Sequence, residues 1–218
     1  MSNARTSHPS SGQTLAAAHE HDSSLQKQLG KAMLVASGWT ASGPPPAEKR
    51  YVLLAAPHTS NWDLPVMLAL TMSFGLTVRW MGKHSLFKPP FGGFMKLLGG
   101  LPIERHKQKG VVEAVAEEYR NAEELIIAIP PEATRSRAPY WRSGFYHIAR
   151  AAQVPIALGF LDYEKQIGGI GPLIQPSGDI HADMEKIRTF YAPMQGKFAE
   201  NFAVPRLREE DESVPSRG

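Results

Sequence analysis

Short apolar runs, each closed by proline or glycine and separated by stretches of helical spacing, constrain this chain more than any other feature. Tyr51-Val52-Leu53-Leu54-Ala55-Ala56 is continuous and apolar and stops at Pro57, and Leu125-Ile126-Ile127-Ala128-Ile129 stops at Pro130-Pro131. Runs of this length without polar alternation are strands buried on both faces. Further strands are expected over residues 76–81, 101–104, 155–161 and 168–174. Helices are expected over residues 62–74, 94–98, 110–121, 143–153 and 181–195. In the third of these, Val111, Val112, Val115 and Ala116 share one side, while Glu113, Glu117 and Glu118 lie elsewhere. Strands alternating with helices require crossover connections. The expected fold is therefore α/β, a largely parallel central sheet with helices on both faces.

The domain plan follows from where this pattern starts and stops. Residues 1–24 are rich in Ser, Ala and His and read as a disordered segment, residues 25–205 as a single domain, and residues 206–218 as a charged flexible tail. The longest apolar run, residues 64–78, is broken by Pro65, Thr71, Ser73 and Gly75 and falls short of the roughly 20 residues of a spanning helix. Residues 25–39 set Lys27 and Lys31 against Leu29, Met33, Leu34 and Val35, an amphipathic helix that either packs on the domain or lies on a membrane surface. The expected setting is cytoplasmic, with peripheral contact on the inner membrane face left open.

Composition removes several chemistries. The 218 residues contain no cysteine, which excludes a disulfide frame, a thiol nucleophile and thiolate metal sites. His84, His106, His147 and His181 lack metal-ligand spacing, and neither a metal nor a resident cofactor is expected. A net charge of +3 is too small to argue for nucleic acid as a partner. The excess is concentrated instead: Arg79, Lys83, Lys88, Lys96, Arg105, Lys107 and Lys109 fall in one segment with a single acid, Glu104. That segment suits a phosphate, an anionic lipid surface or an acidic protein.

In parallel sheets, ligands bind beyond the carboxyl ends of the strands. Four places qualify: His58 to Asp63, Glu104-Arg105, Glu132 to Ser136, and the loop after Leu161. Five positions along a helix separate two side chains by about 140°. His58 and Asp63 can therefore meet only if His58 stays in the turn before the helix. They would then form the base-and-orienter half of a hydrolase triad without its nucleophile. Ser60 three residues before Asp63 is equally a capping-box variant, which would only start a helix. Arg105 after a short strand can hold a phosphate bidentately, or stand on a solvated basic face. In Pro131-Glu132-Ala133-Thr134-Arg135-Ser136, an acid, a hydroxyl and a guanidinium packed into one turn suit a polyol phosphate, or form a surface pair worth under about 1 kcal/mol.

Taken in order, His58 to Asp63, Gly100 to Arg105, Pro131 to Ser136 and Val154-Pro155-Ile156 resemble the four signature blocks of the glycerolipid acyltransferase family, whose best known members acylate lysophosphatidate. The segment Trp141-Arg142-Ser143-Gly144-Phe145-Tyr146 resembles small bacterial members. The resemblance implies that His58 is a general base oriented by Asp63, and that Arg105, Glu132, Thr134 and Arg135 bind the acceptor. The acyl donor would be acyl-CoA or acyl carrier protein, the acceptor a lysophospholipid-like alcohol. Two departures stand out. Ala133 occupies the usual place of a glycine, and the paired apolar N-terminal helices of many members are reduced to residues 25–39. Ala133 opens a second reading, a thioesterase or a transferase to a non-phosphorylated acceptor. A non-catalytic lipid or carrier-protein binder is a third. Met67, Leu70, Phe87 and Phe94 are expected to set the depth of an acyl tunnel, and Trp62, Trp80 and Phe145 to be core or pocket wall.

Overall fold

The computed structural model describes residues 11–103 and 108–212. The elements run α1 (Ser11–Ala36), β1 (Thr40–Ser42), β2 (Arg50–Ala56), α2 (Asp63–Phe74), β3 (Val78–Lys83), α3 (Gly92–Leu97), β4 (Gly100–Ile103) and α4 (Gln108–Asn121). They continue as β5 (Leu125–Ile129), α5 (Gly144–Ala152), β6 (Ile156–Asp162), β7 (Ile167–Ile174), α6 (Ile180–Tyr191) and α7 (Glu209–Glu212). The strands form one seven-stranded sheet in the order β1-β7-β6-β2-β5-β3-β4. Every neighbouring pair is parallel except β6 with β7. This is the expected α/β architecture, with one reversal introduced by the tight β6–β7 connection.

Side chains alternate across a strand, and the two faces sort accordingly. Val52, Leu54 and Ala56 of β2 join Ile127, Ile156 and Leu158 under Tyr119 of α4, Phe145 and Ile148 of α5, and Met184, Ile187 and Tyr191 of α6. Tyr51 and Leu53 face the other way, with Val78, Trp80, Ile126 and Ala128, toward Leu64 and Met67 of α2 and Met95 of α3. Leu34 and Trp39 extend that second layer against Val66, Ala69 and Leu70, which seats α1 on α2. Helices therefore cover both faces. The central β2, flanked by β5 and β6, carries its carboxyl end at the middle of the sheet edge.

Two expectations about the ends are corrected. The first helix begins at Ser11 rather than near Leu25, because Leu15 to Ala18 and the residues after them contain no Gly or Pro to stop it before Gly30. Residues 206–212 are anchored rather than flexible. Leu207 is fully buried and its strand-like backbone bridges Trp141, while Glu210 binds the Leu207 amide and the Arg188 guanidinium. Residues 1–10 and 213–218 lie outside the described residues.

Candidate active site

β2 ends at Ala56 and α2 begins at Asp63, so residues 57–62 form the strand-to-helix turn. His58 sits in that turn and Asp63 in the first helical turn. His58 Nδ1 stands 3.1 Å from Asp63 Oδ2, the imidazole partly exposed and the carboxylate buried. The same oxygen accepts a 2.9 Å hydrogen bond from the Ser60 amide, and the Ser60 hydroxyl accepts one from the Trp62 amide. Asp63 thus reaches back to the Ser60 amide, one half of a capping box, and is at the same time the partner of His58. Its other oxygen, Oδ1, accepts a 2.7 Å bond from the Tyr163 hydroxyl. With Nδ1 donating to the carboxylate, Nε2 keeps its lone pair and can take a proton.

Behind the turn lies Glu132. Its Oε2 accepts a 2.7 Å bond from the His58 amide, its side chain is 5% exposed, and Oε1 has no partner among the described residues. Burial pushes this carboxyl up to about 8; the His58 amide pulls against that shift, and the Asp63 charge adds to it. The residue clamps the main chain of His58 from inside the protein. On the far side, the Thr59 hydroxyl accepts from the Phe198 amide at 3.3 Å, so the segment after α6 braces the same turn.

His58 and Asp63 open onto a cavity of about 700 Å³ between the sheet and α2. Its wall is apolar, built by Leu53, Met67, Leu70, Phe74, Trp80 and Met95. Gly159 keeps β6 and β2 closely apposed beside it, since a Cβ there would stand 2.4 Å from the Leu54 carbonyl oxygen. Thr134 and Arg135 line the same cavity and are exposed. The turn that presents them holds Ala133 at φ 57, the left-handed conformation expected of a glycine, at a cost of roughly 1 kcal/mol. Thr134 also accepts from the Ser136 amide at 3.3 Å through its own hydroxyl. An imidazole whose Nε2 has no partner among the described residues, an apolar chamber and a cationic rim can together hold an acyl group and deprotonate a hydroxyl beside it.

A sequence model of the acyltransferase family matches residues 40–157, which includes β2, the His58 turn and the Glu132 to Arg135 turn. The chain belongs to the acyltransferase family. Among solved structures, this acyltransferase resembles the 1-acyl-sn-glycerophosphate (LPA) acyltransferase PlsC from Thermotoga maritima. The TM-score is 0.55 and the identity 17%, over 78% of this chain and 76% of that one. At that identity the likeness concerns the fold. No curated protein matches the chain.

Of the residues expected at the site, the acyltransferase fold brings His58, Asp63, Thr134 and Arg135 to one cavity. Glu132 is not part of that lining; its carboxyl group meets the His58 amide instead. Arg105 lies outside the described residues. Met67 and Leu70 line the cavity as expected, but Phe94 is 55% exposed and its neighbour Met95 points inward. Phe87 packs against Trp80 with ring centroids 5.8 Å apart. Trp62 is 64% exposed, which corrects its reading as core or wall. Tyr163 is a site residue that motif reading passed over, although it lies in the loop after Leu161 that the strand-end rule marks. Among the described residues no group of His, Asp and Glu is arranged to hold a metal ion, and no helix is long and apolar enough to cross a membrane.

Proposed function

We propose that this acyltransferase moves a fatty acyl group from an acyl-thioester, carried by CoA or acyl carrier protein, to a hydroxyl of a lysophospholipid-like acceptor. The observation that carries this reading is the His58 to Asp63 pair at 3.1 Å, opening onto an apolar cavity of about 700 Å³. The acyl chain lies in the cavity along α2 with its thioester carbonyl beside His58. His58 Nε2 takes the acceptor's hydroxyl proton as that oxygen attacks the carbonyl carbon, while Asp63 stabilises the imidazolium that forms. The new C–O bond forms, the C–S bond breaks, and the proton passes from Nε2 to the departing sulfur. No covalent enzyme intermediate is required. Arg135 and Thr134 grip the anionic end of the acceptor, with Arg105 as the further cation that the family resemblance implies. Glu132 acts on His58 rather than on the acceptor. The donor's acidic portion and any membrane contact fall to the basic segment from Arg79 onward.

Ala133 supports transfer to a phosphorylated acceptor rather than hydrolysis, because it takes the positive φ of the glycine it replaces and so keeps the turn. Thiol release from acyl-CoA, measured with and without lysophosphatidate, tests the reading. Acceptor-dependent release that drops about 10²–10⁴-fold in His58→Ala is the expected result. Unchanged turnover in that variant refutes the mechanism, and release that ignores the acceptor favours a thioesterase.

A further inference from the structure

The carboxylate of Asp63 is gripped at both oxygens. Oδ2 faces His58 and the Ser60 amide; Oδ1 accepts from the Tyr163 hydroxyl at 2.7 Å. A carboxylate turns about a broad, roughly two-fold terminal torsion. A second donor on its far oxygen fixes the plane in which the first faces the imidazole. Tyr163 follows β6 directly and lies beyond the residues 40–157 matched to the family.

Its own position is determined from several sides. The Tyr163 amide donates to the Gln195 carbonyl at 2.9 Å. Its ring meets Trp39 edge to face, with centroids 4.8 Å apart and planes at 87°, and Lys197 Nζ lies 5.5 Å from the ring centroid. Burial and the Asp63 carboxylate both raise the phenol far above its ordinary range, so the hydroxyl stays protonated and serves as a donor. A hydrogen bond of this length to an ionised carboxylate is of the charge-assisted, stronger kind.

We propose that Tyr163 is a positioning residue for acyl transfer, holding Asp63 so that its Oδ2 meets His58 Nδ1 in a Tyr163, Asp63, His58 relay. This rests on the role given to His58 and Asp63 above. Tyr163 touches neither substrate; it acts through Asp63.

The test is Tyr163→Phe, which removes the hydroxyl and keeps the ring between Trp39 and Lys197. In the purified full-length protein, kcat falls about tenfold while KM for thioester and acceptor moves less than about twofold. The acid limb of kcat/KM moves to higher pH, because a carboxylate relieved of one donor holds the imidazolium more tightly. Added to Asp63→Asn, Tyr163→Phe costs less than about twofold, since the group it serves is already gone. An unchanged kcat overturns the proposal. So does a rise in KM alone, or a loss in the Asp63→Asn background as large as in the native one. Full activity of His58→Ala is a different result: it removes the underlying mechanism whatever Tyr163 does.

Discussion

At His58 the main chain and the side chain are held by two different carboxylates, Glu132 on the amide and Asp63 on Nδ1. The two acids have opposite duties. Asp63 must be ionised to serve the imidazole, whereas Glu132, sealed in the interior, favours its proton. Its carboxyl is raised from 4.5 to about 8, so between those values the folded chain keeps a proton that the unfolded chain has released. Stability contributed by this group is therefore full below about pH 4.5 and is lost as pH rises through 8. Glu132→Gln, which cannot ionise, is expected to gain on the native protein by on the order of a few kcal/mol between about pH 5 and pH 8. Urea unfolding at the two pH values measures it, and a constant difference contradicts the burial argument. The pairing of His58 with Asp63 is legible in the sequence, because strand, turn and helix start are all marked there. The duty of Glu132 is not, since it depends on β2 and β5 lying side by side, with Leu54 opposite Ile129.

Among the elements, the seating of α1 on α2 depends on one residue. A Cβ on Gly30 would stand 2.4 Å from the Ser73 nitrogen, 2.7 Å from the Ala69 oxygen and 2.8 Å from the Met72 carbonyl carbon, all backbone of α2. Backbone cannot swing aside as a side chain can, so the helices must part. Gly30→Ala gains about 1 kcal/mol in helix propensity but loses about 1–3 kcal/mol by overpacking, and the clash wins. Thermal unfolding should show a lower Tm, with α1 more open to protease; a higher Tm means that the crossing is looser than described. Periodicity finds a helix over residues 25–39 but is silent on this contact, because a glycine in a helical run looks like a weakness until its neighbour is known. The same limit explains residues 206–212. A run of acids reads as solvated unless the distant partners, Arg188 for Glu210 and Trp141 for Leu207, are known.

For the molecule as a whole, the sheet has one filled face and one hollowed face. The hollow follows α2 from Asp63 to Phe74, a helix path of about 16 Å, with both ends contributing to its wall. Phe74 stands at the end remote from His58. Phe74→Ala should lengthen the chamber and shift the preferred acyl chain upward, read by competition among thioesters of graded length; an unaltered preference shows that the chain stops short of it. The α/β plan is visible in the alternation of apolar runs. The hollow is not, because it arises where small residues of separate strands fall into register, as Ala55 does opposite Gly159. One consequence of the strand order concerns synthesis. Among the described residues Thr40 to Ser42 pair with Ile167 to Gly169 alone, so the first described strand to be made waits for the last. Trp39, which backs Tyr163, waits with it. A nascent chain can assemble its central strands early, yet the packing around Asp63 is finished only when residues 39–42 meet residues 163–169.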